Sequence, residues 1–196
     1  MLMPAEEICD YLRRLRPYLK ASLILFGVGF VLGLILVERF PEMADGFEGS
    51  LVAFIKVFRG FPKLQLAGAI FLNNTFKTLA AILLGAFFGL LPAFFLLVNG
   101  AALGIVLSLS MQSRGLWVSL ISVLPHGVLE LPAVFLGTSI GIMLGASVAR
   151  KLFAKSDAKI GAELSRGVKF FCSVIVPLLF LAAFVEAYVT SAFVPR

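Results

Sequence analysis

LAGAIFLNNTFKTLAAILLGAFFGLLPAFFLLVNGAALGIVLSLS, residues 66–110, runs for 45 residues with a single formal charge, Lys77. A bilayer core takes about 20 apolar residues per helical crossing, so the stretch reads as two spans and a tight turn. Pro92 marks the turn, which places spans at about 68–90 and 93–110. Working outward, residues 21–37 are a first span bounded by Lys20 and by Glu38-Arg39, and residues 170–190 are a last one. Leu116 to Ala149 is too long for one ordinary span and too short for two, and Pro125-His126-Gly127 interrupts it. Proline and glycine together break helices, so residues 116–124 are expected to form a re-entrant half-helix that turns into a full span over about 128–149. A single long helix kinked at Pro125 is the alternative. The fold class is therefore all-α: a polytopic transmembrane helix bundle of about five spans in one domain, residues 21–190.

Composition agrees. The chain is 60% hydrophobic and 14% charged, with mean hydropathy +1.03, where soluble domains run about 25% charged. Residues 1–20 form a basic N-terminal segment. Within it Ala5–Tyr18 reads as an amphipathic helix on the cytoplasmic membrane surface, with Ile8, Leu12 and Leu15 on one face. The charged stretch and the lack of a small-residue cleavage site argue against a signal peptide. The net charge is +6, and the basic residues gather in two places, Arg13, Arg14, Arg16 and Lys20 before the first span, and Arg150, Lys151, Lys155, Lys159, Arg166 and Lys169 in the loop before the last. Basic loops flanking apolar spans follow the positive-inside pattern and exclude nucleic acid as a partner. The N-terminus is then cytoplasmic and, after five crossings of the cell membrane, the C-terminus lies outside. The 38–63 loop carries charges of both signs and a short apolar piece, Leu51–Phe58, read as interfacial. Cys9 and Cys172 are expected to stay apart, with no disulfide.

Glycines recur four residues apart: Gly29 and Gly33, Gly85 and Gly89, Gly100 and Gly104, and the run Gly137, Gly141, Gly145. Small residues at this spacing let membrane helices approach closely, which predicts a compact bundle or a homo-oligomer. The stripe on span four extends back through Ala133 and Glu130 to His126, on one side of the helix. On span two Asn73, Lys77, Ala81, Gly85 and Gly89 are likewise spaced by four. Topology then gathers Asn73, Asn74, Lys77, Asn99, His126, Glu130 and Glu186 toward the outer half of the membrane. Ionised groups there are costly unless paired, so Lys77 and protonated His126 are expected to offset Glu130 and Glu186. His126 and Glu130 at i, i+4 have the spacing to share a metal ion, with Glu186 needed as a third ligand. No phosphate loop, Ser/His/Asp order or CxxC occurs, no cofactor is expected, and nothing in the sequence makes an enzyme of it.

At these residues the sequence resembles the stage II sporulation protein M family of integral membrane proteins. The resemblance rests on Phe71-Leu72-Asn73-Asn74, on Asn99-Gly100 with Gly104, on Leu124-Pro125-His126-Gly127 followed by Glu130-Leu131-Pro132-Ala133, on Gly137, Gly141 and Gly145, and on Val185-Glu186-Ala187-Tyr188-Val189-Thr190. It implies a multi-pass plasma-membrane protein. In sporulating bacteria the family's namesake works with peptidoglycan-degrading partners during engulfment. Three functions compete. One is a membrane scaffold or assembly factor, a homo-oligomer or a partner of other membrane or envelope proteins. Another is a channel or transporter built around the Pro125–Gly127 break and the polar cluster. The third is an intramembrane metal-dependent hydrolase.

Overall fold

The computed structural model describes residues 2–43, 46, 49, 60–155, 157 and 159–190, with the side chains of residues 122–126, 129, 189 and 190 left out. Among these residues the fold is entirely helical: α1 (Ala5–Arg39), α2 (Lys63–Leu83), α3 (Leu90–Arg114), α4 (Leu116–Phe153), α5 (Ile160–Phe170) and α6 (Val176–Val185). Five helices are long and apolar enough to cross a membrane: Ala5–Arg39, Lys63–Ala86, Leu90–Arg114, Glu130–Phe153 within α4, and Ile160–Tyr188, which runs through α5 and α6.

The amphipathic segment and the first span are one helix rather than two. Tyr11, Leu15, Ser22, Phe26, Gly29, Gly33 and Val37 are its buried positions. They recur every three, four or seven residues, so one continuous face serves both parts. Pro17 lies inside this helix, where it removes one backbone hydrogen bond. Glu6 and Glu7 in the first turn and Arg39 in the last complement the helix dipole.

The expected half-helix and its turn at Pro125–Gly127 are also absent. A single α4 of 38 residues runs from Leu116 to Phe153, about 57 Å at 1.5 Å per residue. The physical reason is the solvent. A break in apolar surroundings strands several N–H and C=O groups, whereas a proline inside a continuous helix strands about one. The turn between α2 and α3 falls at Phe87–Gly89, not at Pro92. Residues Leu84–Ala86 tighten into a 3-10 turn, Gly89 takes φ +73 and Phe88 φ +56, and α3 starts at Leu90. Pro92 sits in the first turn of α3, where its missing N–H costs nothing. The basic loop is mostly helix as well. α4 continues to Phe153 and α5 begins at Ile160, an amphipathic helix that buries Gly167 and Phe170. Five-residue π-helical turns, Phe171–Ile175 and Glu186–Thr190, flank α6. Leu51–Phe58 lies outside the described residues.

Contacts fix the relative directions. Backbones of α1 and α3 touch at Gly29 against Leu97, Gly33 against Ala101, Gly100 against Phe26 and Gly104 against Phe30. Both numbers rise together, so these helices run parallel. Gly137 meets Thr78, Gly141 meets Ala81 and Gly145 meets Gly89, so α2 and α4 are parallel too. α1 opposes α4, with the Ser22 and Ser139 hydroxyls 3.1 Å apart and the Phe26 and Phe135 rings edge-on at 5.1 Å. The last crossing opposes α2, with Gly167 near Ile82, Phe180 against Phe71 at 5.7 Å and Tyr188 beneath Lys63. Successive crossings therefore alternate in direction, as five spans require.

Candidate functional site

α4 is the most enclosed crossing. Ala133, Val134, Ile140, Met143 and Leu144 are buried, along with the hydroxyls of Thr138, Ser139 and Ser147. These hydroxyls are satisfied on the helix itself: Thr138 donates to the Val134 carbonyl at 2.7 Å, Ser147 to Met143 at 3.0 Å, and Ser139 to Phe135. Back-bonding of this kind lets a polar group sit in an apolar core at little cost. The glycine stripe of α4 is covered on both sides, since a Cβ on Gly141 would strike the Ala81 carbonyl and lie 3.1 Å from the Pro92 ring. The stripes on α1, α2, α3 and α4 are thus all occupied within one chain. The sequence offered them as the seams of a compact bundle or of an oligomer, and within this chain the close approach they permit closes the bundle.

The paired contacts also place the polar groups by level. Ser22 lies opposite Ser139 and Phe26 opposite Phe135, which sets Gly29 opposite residues 131–132, and Thr78 beside Gly137 sets those opposite Asn73. Leu97 touches Gly29. Asn73, Asn99 and Glu130 therefore share a level to within about 5 Å, near the middle of α2 and α3, and Lys77 lies about 6 Å from Asn73 toward the basic end. Phe71 opposite Phe180 sets Glu186 about 12 Å from Asn73 the other way. The turn that Glu186 opens packs on both α2 and α4.

Side chains divide this set. Asn73 donates to the Asn74 amide oxygen at 3.2 Å, and Asn74 is buried. Asn99 turns back on its own helix and donates to the Phe95 carbonyl at 2.6 Å. Glu130 and Glu186 are half-buried. Lys77, expected to offset them, is exposed and forms no ion pair among the described residues. The His126 side chain lies outside the described residues. Among those described, no group of three or more His, Cys, Asp or Glu side chains could hold a metal ion. Pro125 and Gly127 sit in unbroken helix. Cys9 and Cys172 are free and exposed.

A second cluster, which the sequence did not announce, ties the start of α1 to the last crossing. The Met3 backbone N–H donates to the Ser173 hydroxyl at 2.8 Å, the Tyr11 ring packs on Phe170 at 5.1 Å, and the Arg14 guanidinium donates to the Glu163 carboxylate at 2.7 Å. Arg166 approaches the same carboxylate at 3.6 Å. The basic residues of α1's first half, of the end of α4 and of α5 consequently collect at one end of the bundle. The available signal was the apolar spacing of Ile160, Leu164, Gly167 and Phe171 across a stretch whose charges suggested a loop. For Ser22 the signal was its place seven residues before Gly29 on the same face.

Parallel helix pairs closed at glycines, five apolar crossings and a hydroxyl-bearing central helix define a polytopic α-helical membrane protein. Within that class the family model of Stage II sporulation protein M matches residues 22–191, and the chain belongs to that family. It is 25% identical over 171 residues to an uncharacterized protein of Methanocaldococcus jannaschii, an alignment that covers 86% of this chain and 91% of the relative. No solved structure matches the chain.

Proposed function

We propose that this chain is a non-catalytic membrane scaffold or assembly factor, with its N-terminus cytoplasmic and its C-terminus outside. The observation that carries this reading is the way the interior is used. Glycine stripes and hydroxyls close the core, and helix α4 passes Pro125–Gly127 without a break. Transport sites at membrane depth are typically built on interrupted helices, so the continuous α4 favours a rigid body that presents surfaces to partners. The test is photo-crosslinking in native membranes from residues on the outer faces of α1, α2 and α3. The reading expects discrete adducts with specific membrane or envelope proteins. Adducts with lipid alone at every position would refute it. The basic end collects ten Lys and Arg positions, which supports the orientation. A membrane-impermeant maleimide should then label Cys9 only after the inner face is opened.

A channel or transporter is the second reading, supported by Glu130 at mid-depth and by the π-helical turn at Glu186, a geometry frequent at functional sites. Ion flux through proteoliposomes that falls with Glu130→Gln would favour it. Flux at the level of empty vesicles would remove it.

A further inference from the structure

We infer that the exposed face of α2 around Lys77 is a docking surface for a transmembrane helix of another protein, one that carries a carboxylate near mid-bilayer. This deepens the scaffold reading and rests on it. Lys77 is exposed, four residues from the level of Asn73, and faces outward with Leu72 and Phe76, which are 54% and 66% exposed. Charged groups in a membrane interior pair or face water, because an uncompensated charge there is expensive. No carboxylate among the described residues pairs with Lys77.

Snorkelling does not relieve it. Lys77 is nine residues from Ala86 at the nearer end of its crossing and fourteen from Lys63 at the other, about 13 Å and 21 Å. Helical side chains lean toward the helix N-terminus, so the lysine stem leads back toward Asn73 and the farther interface. An ammonium on that stem stays within the hydrocarbon.

Symmetry decides between a second copy and a different protein. Two copies meeting through this face would be related by a two-fold axis along the membrane normal, which brings Lys77 to the same depth on both sides. Like charges at close range in low dielectric repel. A helix with Asp or Glu at that depth instead supplies the opposite charge, Asn73 one turn away adds an amide, and Leu72 and Phe76 supply apolar contact.

The test uses the full chain in liposomes, labelled as an energy-transfer donor, with acceptor-labelled synthetic helices of about 20 leucine and alanine residues that carry one central Glu, Gln or Lys. The Glu helix should associate roughly threefold to fifteenfold more tightly than the Gln helix. Lys77→Leu should erase that preference, and Lys77→Glu should transfer it to the Lys helix. Equal association of the Glu and Gln helices, a preference that survives Lys77→Leu, or self-association through α2 in place of peptide binding would each overturn the inference. Specific crosslinks from other faces in the native-membrane experiment would leave the scaffold reading standing after such a failure. A Lys77-dependent preference with no crosslinked partner anywhere would do the reverse.

Discussion

Replacing Gly100 by alanine is the sharpest test of how this bundle is held. A Cβ there would land on the Phe26 carbonyl, closer than real Cβ contacts come, with the Phe30 amide nitrogen at 2.9 Å. Both neighbours are backbone, so no rotamer change relieves the clash and the two helix axes must part. Separation by about 1 Å forfeits a quarter to a half of each dispersion contact along the seam. Forced methylenes in a packed core cost about 1–3 kcal/mol, and Gly100→Ala should fall in that range. Gly27 is the internal control. It lies on the same α1, yet a Cβ there meets nothing within 4 Å. Gly27→Ala should be neutral or stabilise by up to about 1 kcal/mol through helix propensity. Gly29→Ala pushes on the same seam from the other side, so combining it with Gly100→Ala should cost less than the sum of the two. Reversible unfolding in bicelles measures all four variants. Equal stabilities for Gly27→Ala and Gly100→Ala, or strict additivity of the pair, would refute the parallel glycine seam.

The Tyr11 hydroxyl is buried without a hydrogen-bond partner, so Tyr11→Phe should leave the midpoint of thermal unfolding in detergent unchanged or raise it. Ser22→Ala should cost about 0.6 kcal/mol in the bicelle assay, the typical value of an interhelical hydrogen bond in a membrane, and Ser139→Ala in the same background should add little. Gly89→Ala meets two obstacles, its φ of +73 and an Ile142 contact at 3.2 Å. It should destabilise by about 1–3 kcal/mol, which denaturant titration would read. Arg14→Ala leaves the Glu163 carboxylate, whose side chain is 13% exposed, without its closest cation. It should loosen the start of α1, seen as faster amide exchange over residues 5–16.

The spans were legible because apolar length is a property of sequence alone. Residues 66–110 contain room for two crossings and no charge to stop them except Lys77. The glycine spacing was legible for the same reason, but its destination was not. A stripe says that something approaches closely, and only the three-dimensional arrangement shows that Gly29 and Gly33 meet α3 of the same chain. Pro125–Gly127 left a half-helix and a single long helix both open; the continuous α4 is the cheaper in lipid, where a broken helix finds no solvent partners. The 151–169 stretch misled, its charges concealing the apolar face of α5. At the polar site, the charge-based topology gathered Asn73, Asn74, Lys77, Asn99, His126, Glu130 and Glu186 toward the outer half of the membrane, whereas the helix contacts set Asn73, Asn99 and Glu130 at one level and Glu186 about 12 Å from it. The topology also paired Lys77 with the carboxylates, although Lys77 lies outside the buried arc of α2 that holds Asn74, Thr78 and Ala81.

The two glycine seams join helices that are not consecutive: α1 closes on α3, and α2 on α4. During synthesis α1 must therefore wait with its bare backbone track uncovered until two further crossings have been made, and α2 waits in the same manner for α4. These two seams cannot close between neighbours in the chain, although the consecutive α3 and α4 also pack on each other. The order in which segments leave the ribosome differs from the order in which they find their mates, so insertion must precede assembly by at least one full crossing.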